Sequence, residues 1–288
     1  MNKGIALILL GYIIWGLFPL YWVLLKQVPA TEVLAHRMLW SVPVLILFVA
    51  LVKNWRSSFM SAIKDKKELA WLLLTATLIT INWGVYIVAV SLDRVVEASM
   101  GYFLTPLLNI LGGFLIFREK IGRLKMLAIL FAALGVFYYI ASIRHFPWIG
   151  LVLGFSFATY GTLRKLIKTP AVPGLLLETL WLIPLSLGYV LYLQYTQQNA
   201  FGNLSVDIDI WLILAGVVTV IPLVLFTSGA RLLPMTTSGI LFYITPSLQF
   251  LVGALVFHEA IDFKQLIGFI GIWTGLALYS YDLLRHQS

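Results

Sequence analysis

The chain has 288 residues, of which 61% are hydrophobic and 11% are charged, about half the charged share of a soluble domain. No single soluble core could bury that much apolar side chain, so the composition predicts a protein surrounded by lipid. The absence of cysteine excludes thiolate metal sites and disulfides, whereas the net charge of +8 by itself would allow a nucleic-acid partner.

Ten apolar segments of membrane-spanning length follow one another along the chain. The first starts as a signal peptide would, but no cleavage site interrupts it, so we expect a retained helix. The connection 53–69 is predicted to be an amphipathic surface helix, and the alternating segments of a β-barrel are not found. The expected fold class is therefore an all-α integral membrane protein with ten transmembrane helices, at 5–25, 32–52, 70–91, 97–117, 124–141, 148–166, 174–195, 209–229, 237–257 and 264–283.

The basic residues fall mainly on one side of this topology. If the amino terminus is cytoplasmic, 15 of the 20 lysines and arginines lie inside, and only Lys26, Arg94, Arg144 and Lys264 lie outside. Such asymmetry orients a membrane protein with its basic connections in the cytoplasm. We therefore expect both termini to be cytoplasmic, and no nucleic-acid partner is needed to explain the charge.

An internal repeat relates the two halves of the chain. Residues 97–121 match residues 237–261 at nine of 25 positions, including Pro106 on Pro246 and Glu119 on Glu259. The match predicts two repeats, 1–145 and 146–288, each with five spans. Because five is odd, the second repeat is inverted in the membrane, an arrangement typical of transporters that work by alternating access around a central cavity.

Several motifs resemble the RarD family, the EamA-type permeases of the drug/metabolite transporter superfamily. The resemblance covers nearly the whole chain and implies a 5+5 inverted repeat, a central cavity and a permease of the bacterial inner membrane, often labelled as a chloramphenicol permease. One departure is Phe242, where the family pattern leads us to expect glutamine before Tyr243. The motifs are Glu32-x-x-x-His36-Arg37-x-x-Trp40-Ser41, Asn82-Trp83, Glu97-Ala98-Ser99-x-Gly101-Tyr102-Phe103 with Pro106 and Asn109, Phe155-Ser156-Phe157-x-x-Tyr160-Gly161-x-x-Arg164-Lys165, and Glu178-Thr179.

Polar residues inside membrane spans are costly in lipid and usually face the protein interior. His36 and Arg37 lie about one turn inside the second segment, where Arg37 could either reach the headgroups or join an internal network with Glu32. Glu178, the repeat mate of Arg37, is a candidate for coupling or gating and is expected on the opposite side of the midplane, not in contact with Arg37. Glu97 begins the fourth segment, where it could cap the helix or couple proton movement.

Other deep residues are candidates for lining a substrate path. Amides in membrane helices often only link helices, and a single deep aromatic residue usually only packs. Together, however, they could line a cavity for an aromatic or amphipathic solute. With His36 and Arg37, the eleven residues predicted to bind substrate are completed by Trp15, Asn82, Trp83, Tyr86, Tyr102, Asn109, Tyr160, Tyr243 and Gln249.

Prolines at equivalent places, Pro106 and Pro246, are candidates for gating because each removes a helical hydrogen bond. The scattered acids, isolated histidines and lack of a phosphate-binding loop argue against the main alternatives, a membrane enzyme or an ATP-driven pump. A channel stays open as an alternative. The sequence predicts a small-molecule substrate, the lipid bilayer as surroundings, protons as a candidate coupling ion and no cofactor or metal; it predicts no oligomeric state.

Overall fold

A computed structural model describes residues 3–142, 147–259 and 263–285. Every regular element in these ranges is a helix, and no strand occurs among them, as the composition predicts. The helices of the first half are α1 (Lys3–Gly16), α2 (Phe18–Trp22) followed by a 3-10 turn (Val23–Leu25), α3 (Ala30–Leu51), α4 (Lys53–Lys64), α5 (Lys66–Ser91), α6 (Val95–Leu115) and α7 (Arg123–Ser142). Those of the second half are α8 (Trp148–Leu166), α9 (Ala171–Tyr195), α10 (Val206–Ala230), α11 (Met235–Phe242), α12 (Ile244–Leu255) and α13 (Phe263–Arg285).

The chain is an all-α integral membrane protein. Six spans of the described chain are long and apolar enough to cross a membrane, or seven if the bent pair at the amino terminus is one span. Each of the ten predicted segments coincides with a helix or a helix pair, and the count of ten crossings stays a prediction. The predicted boundary between repeats at 145/146 and Arg144 lie outside the described residues.

Two predicted spans are interrupted. The first is bent by 41° between Gly16 and Phe18, where Pro19 occupies the first turn of α2 and has no amide to donate to α1. The ninth breaks at Tyr243, three residues before Pro246. A proline in a span is expected to bend its helix, because it cannot continue the hydrogen-bond ladder of the preceding turn, and both interruptions lie next to one.

Glycine allows several pairs of helices to touch backbone to backbone, and two of these pairs carry glycine motifs. A methyl group built on Gly101 of α6 would lie 2.2 Å from the Cα of Gly150 in α8, and one on Gly275 of α13 would lie 2.6 Å from the carbonyl of Ala128 in α7. Gly154 and Gly271 belong to the same two contacts. The Gly150-x-x-x-Gly154 and Gly271-x-x-x-Gly275 motifs therefore each lie at a close helix contact.

The connection after α3 and the connection after α9 lie at opposite ends of α3. The carboxylate of Glu32, in the first turn of α3, accepts a 2.8 Å hydrogen bond from the amide of Ala200, whereas α4 begins at Lys53 directly after α3 ends. At 1.5 Å per residue, the 22 residues of α3 separate the two connections by about 33 Å.

We expect single cysteines at two exposed positions in these connections, Ser57→Cys and Gln198→Cys, to react with an impermeant maleimide from opposite sides of the membrane. Because the chain has no cysteine of its own, each reporter can be measured alone in intact and in opened cells. Labelling of Ser57→Cys in intact cells would reverse the predicted orientation. Labelling of both from one side would contradict a membrane-spanning α3.

Candidate functional site

A small cavity lies between the two halves of the chain. Its volume is about 30 Å³, enough for about two water molecules. Seven lining residues come from the first half and four from the second. They are Trp15, Phe18, Arg37, Asn82, Trp83, Tyr86, Tyr102, Phe157, Phe242, Thr245 and Gln249.

Arg37 supplies the charge of this cavity. Its side chain is 1% exposed, so the alternative in which it reaches the headgroups is wrong. Its Nε donates a 2.7 Å hydrogen bond to the hydroxyl of Thr219 in α10. The guanidinium carbon lies 4.0 Å from the ring centre of Trp83 and 4.8 Å from that of Trp22. The aromatic faces therefore take the place that water would have around this cation.

Amide side chains hold the helices around the cavity. Asn82 donates to the backbone carbonyl of Leu153 at 2.9 Å and accepts a 2.8 Å bond from the hydroxyl of Tyr102. Gln249 donates a 3.1 Å bond to the carbonyl of Trp15. Both amides thus link helices, and both line the cavity. The sequence left open whether these amides only link helices or line a substrate path, and the two roles are compatible here.

His36 does not reach the central cavity. It lines a separate open groove of about 1200 Å³ between α3 and α9, where its ring lies 4.8 Å from that of Phe201. Its Nε2 lies 3.9 Å from a carboxylate oxygen of Glu32. Neighbouring residues on a helix point about 100° apart, so His36 faces the groove while Arg37 faces the cavity. A single network of Glu32, His36 and Arg37 does not form.

Tyr160 and Glu178 form a second buried polar cluster. The carboxylate of Glu178 accepts a 2.6 Å bond from Thr75 and a 3.4 Å bond from Tyr160, and lies 3.5 Å from Nε of Arg164. Glu178 is 1% exposed and Arg164 is 4% exposed. As expected, Glu178 does not contact Arg37.

Asn109 and Tyr243 lie away from the central cavity. Asn109 is buried where α6 crosses α11, beside Gly239. Tyr243 is fully buried, and its ring stacks on that of Phe103 at 5.8 Å. The structure thus brings seven of the eleven residues predicted to bind substrate to one cavity and distributes the other four among neighbouring contacts.

Two glutamates cap helices of the opposite half. Glu119, after α6, accepts hydrogen bonds from the amides of Met235 at 2.6 Å and Thr236 at 2.9 Å, at the start of α11. Glu259, after α12, accepts from the amides of Val95 at 3.2 Å and Val96 at 2.8 Å, at the start of α6. We call these contacts the Glu119 cap and the Glu259 cap. A carboxylate there satisfies free amides and complements the helix dipole.

The turns that present these two glutamates have the same conformation. Arg118 and His258, which precede them, have φ values of 52° and 54°. In each turn the glutamate amide donates to a glycine carbonyl at 3.0 Å, that of Gly113 in one case and Gly253 in the other. The repeat match includes both glutamates, Glu119 on Glu259, but the sequence pattern did not predict that they cap helices.

Glu97 is not the residue that caps α6. Its carboxylate pairs with Arg94, one turn away, while the Glu259 cap occupies the first amides of the helix. The capping prediction for Glu97 is therefore wrong, because the acceptor comes from the other end of the chain. Its predicted part in coupling stays a prediction.

The two capping carboxyls differ in acidity. For Glu119, burial alone would raise the pKa, but the hydrogen bonds from Thr236 and Met235 and the charge of Lys165 outweigh it and hold the pKa below 4.5. For Glu259, burial is the largest effect and raises the pKa above 4.5 despite the two amide bonds, with a further rise from Asp93.

Pro106 and Pro246 each sit four residues after a residue that lines the cavity, Tyr102 and Phe242. A proline cannot donate to the carbonyl four residues earlier, so one backbone carbonyl beside the cavity loses its helical partner in each half. The local structures differ, however. Pro106 lies inside continuous α6, whereas Pro246 follows the break at Tyr243.

Comparison with known proteins shows the family. The model of the EamA-like transporter family matches residues 2–141 and again residues 147–281. The uncharacterized transporter YojE of Bacillus subtilis is 38% identical over 99% of this chain and 95% of its own. The chloramphenicol-sensitive protein RarD of Pseudomonas aeruginosa is 32% identical over 100% of this chain and 97% of its own.

A solved crystal structure has the same fold, with a TM-score of 0.69 over 100% of both chains at 17% identity. The family and YojE are named as transporters, not enzymes, which agrees with the scattered acids and isolated histidines of the sequence. With two family matches, full-length RarD relatives and a polar cavity between apolar helices, the chain belongs to the EamA-like transporter family and is a RarD-type multi-pass membrane transporter.

Proposed function

We propose that this transporter moves a small organic metabolite or drug across the bacterial inner membrane by alternating access between two inverted five-helix repeats, with both termini in the cytoplasm. The observation that carries the proposal is the reciprocity of the Glu119 and Glu259 caps. Each half provides the carboxylate that secures the first turn of a helix in the other half. A cavity closed between two equivalent contacts can open by releasing either one, which is the requirement for alternating access.

Other contacts support the inverted repeat. The repeat-related helices α3 and α9 pack on each other, as do α7 and α13. Thr105, before Pro106, donates to the carbonyl of Gly154 at 3.4 Å, and Thr245, before Pro246, donates to that of Tyr12 at 2.9 Å. These paired contacts are expected if both halves fold in the same way about an axis in the membrane plane.

Chloramphenicol is a first solute to test, because one relative is named for sensitivity to it. Proteoliposomes loaded with unlabelled chloramphenicol should take up external labelled chloramphenicol transiently above its equilibrium level. Such counterflow requires a carrier that binds solute at one face at a time. Liposomes without internal chloramphenicol are the control, and equilibration without a transient excess would favour the channel alternative.

The solute path is expected to include the central cavity and not only the open groove. Its closed volume of about 30 Å³ admits no drug-sized molecule, so transport needs the cavity to widen. Protons remain a candidate coupling ion. The two capping carboxyls lie outside the spans, and their protonation would change the stability of the Glu119 cap and the Glu259 cap.

Acidification should loosen the Glu119 cap and leave the Glu259 cap closed. The pKa of Glu119 is lowered in the closed structure, so its cap is stabilised above 4.5 and this contribution is lost as pH falls through the lowered pKa. The pKa of Glu259 is raised in the closed structure, so the closed state binds a proton at Glu259 more readily than the open, solvated state does. Lowering the pH through this raised pKa therefore stabilises the closed state at the Glu259 cap.

Cysteine reporters at two buried, repeat-related positions after the caps, Ala98→Cys and Ser238→Cys, measure this effect. Between neutral pH and a pH below 4.5, the fraction of Ser238→Cys that a thiol-reactive disulfide probe labels should rise and that of Ala98→Cys should not. Each labelled fraction is divided by that of the exposed Gln198→Cys at the same pH, which corrects for the effect of pH on the labelling reaction. A parallel rise at both reporters would contradict the assignment.

A further inference from the structure

We propose that the central cavity binds a small organic carboxylate, and that Arg37 holds its carboxylate group. The inference rests on the proposed function, since it names the class of solute that the cavity would carry. It starts from an imbalance of charge at the centre of the protein. Arg37 is 1% exposed, and none of the ion pairs between described residues includes it.

The other buried charges of the described spans have their own partners. Arg164 lies 3.5 Å from Glu178, and Glu32 accepts amide bonds from Ala200 and Phe201. Glu32 is therefore already engaged at the outer end of α3. The rings of Trp83 and Trp22 offset part of the cost of burying Arg37 but supply no negative charge. A cation buried in this way favours an anion as its counterpart.

Unpartnered polar atoms around the cavity describe the ligand further. In the part of the chain that the structure describes, Nη2 of Arg37, the hydroxyl of Tyr86 and Oε1 of Gln249 are buried without a hydrogen-bond partner. All three residues line the cavity. The first two can donate to the oxygens of a carboxylate. The third can only accept, so it calls for a hydroxyl or N–H group on the same ligand.

The aromatic side chains that line the cavity indicate what the rest of the ligand is like. The rings of Phe157 and Phe242 are stacked at 5.0 Å, and those of Trp15 and Phe157 meet edge to face at 5.3 Å. These aromatic walls suit a flat or aliphatic body, which enters as the cavity widens from its closed volume. The geometry thus points to a monocarboxylate with an apolar body and one hydrogen-bond donor.

Three probes test the inference: phenyllactate, which has the carboxylate and a hydroxyl donor; phenylpropanoate, which lacks the hydroxyl; and phenylpropanamide, which lacks the charge. Binding to the full-length protein in lipid nanodiscs is measured by quenching of tryptophan fluorescence, since Trp15 and Trp83 line the cavity, and by thermal shift. Phenyllactate should bind about tenfold or more tighter than phenylpropanamide, as expected for charge-assisted hydrogen bonds. Phenylpropanoate should lie between them.

Two variants and one control variant assign the preference to individual side chains. Arg37→Gln should remove the preference for carboxylate over amide, whereas Arg56→Gln, at an exposed position of α4, should keep it. Gln249→Leu should keep the carboxylate preference and lose that of phenyllactate over phenylpropanoate. If Arg37→Gln does not fold, the comparison of the three probes on the unaltered protein still shows whether the cavity prefers a charged carboxylate to a neutral amide.

Equal affinity for phenylpropanamide and the carboxylates, no binding of any carboxylate at its solubility limit, or a preference that survives Arg37→Gln would each overturn the inference. These are equilibrium measurements, so they are independent of movement across the membrane. Carboxylate binding without any counterflow would leave the anion site standing and remove alternating access. Chloramphenicol counterflow without carboxylate binding would do the reverse.

Discussion

Replacing Glu178 by alanine should lower the free energy of unfolding by about 3–5 kcal/mol, because it leaves the buried charge of Arg164 without its partner. The pair is closed off from solvent, with Glu178 at 1% exposure and Arg164 at 4%. The substitution also removes the acceptor of Thr75, whose hydroxyl donates to Glu178 at 2.6 Å. The loss should appear as a lower midpoint of unfolding in mixed micelles titrated with a denaturing detergent.

The double variant Arg164→Met, Glu178→Leu is the matched control. It removes both charges and keeps similar volumes, so its stability should lie much closer to that of the unaltered protein than the single variant does. Glu178→Gln should lie between them, because it keeps an acceptor for Thr75. A single alanine variant as stable as the double variant would show that the two side chains do not act as a charge pair.

Removing either capping carboxylate should open the transporter towards one side only. Hydrogen bonds to a charged group contribute about 1.5–3 kcal/mol, which corresponds to a change of about 10- to 150-fold in the ratio of two states. Glu259→Ala should therefore expose Ala98→Cys to an impermeant maleimide, and Glu119→Ala should expose Ser238→Cys. Both reporter positions are buried in the closed structure, at 0% and 1% exposure.

The variant with both glutamates replaced should return towards the starting balance, because the two losses bias the equilibrium in opposite directions. Asp207→Ala, which removes an exposed carboxylate in the first turn of α10, is the control for a change of charge at a helix start. If Glu119→Ala and Glu259→Ala expose the same reporter, the caps are ordinary structural contacts and the proposal of alternating access loses its main support.

The hydrophobic pattern predicts where the helices are but not how they bend. Runs of apolar residues place a helix at each of the ten predicted segments, because in lipid the backbone must satisfy its own hydrogen bonds. The bend before Phe18 and the break at Tyr243 each lie near a proline, whereas Pro106 lies inside the continuous helix α6. A one-dimensional pattern carries no such information.

The choice between His36 and Arg37 illustrates what the sequence leaves open at the site. Spans that are apolar on all sides show no face that must point inwards, so two adjacent polar residues are equally good candidates. Only the packing of α3 against α9 and α10 decides that Arg37 faces the cavity. The caps are harder still, since Glu119 and Thr236 are 117 residues apart and meet only in the folded protein.

The caps also explain an uneven pattern of divergence between the halves of the chain. Glu119 and Glu259 are the same residue, whereas the positions they cap, Val95 and Val96 in one half and Met235 and Thr236 in the other, differ completely. A carboxylate that bonds to backbone amides recognises a donor that every residue except proline possesses. The backbone part of each contact is therefore the same in both halves although the capped residues differ, and the hydroxyl of Thr236 adds a 2.6 Å bond to Glu119 that Val96 cannot make to Glu259.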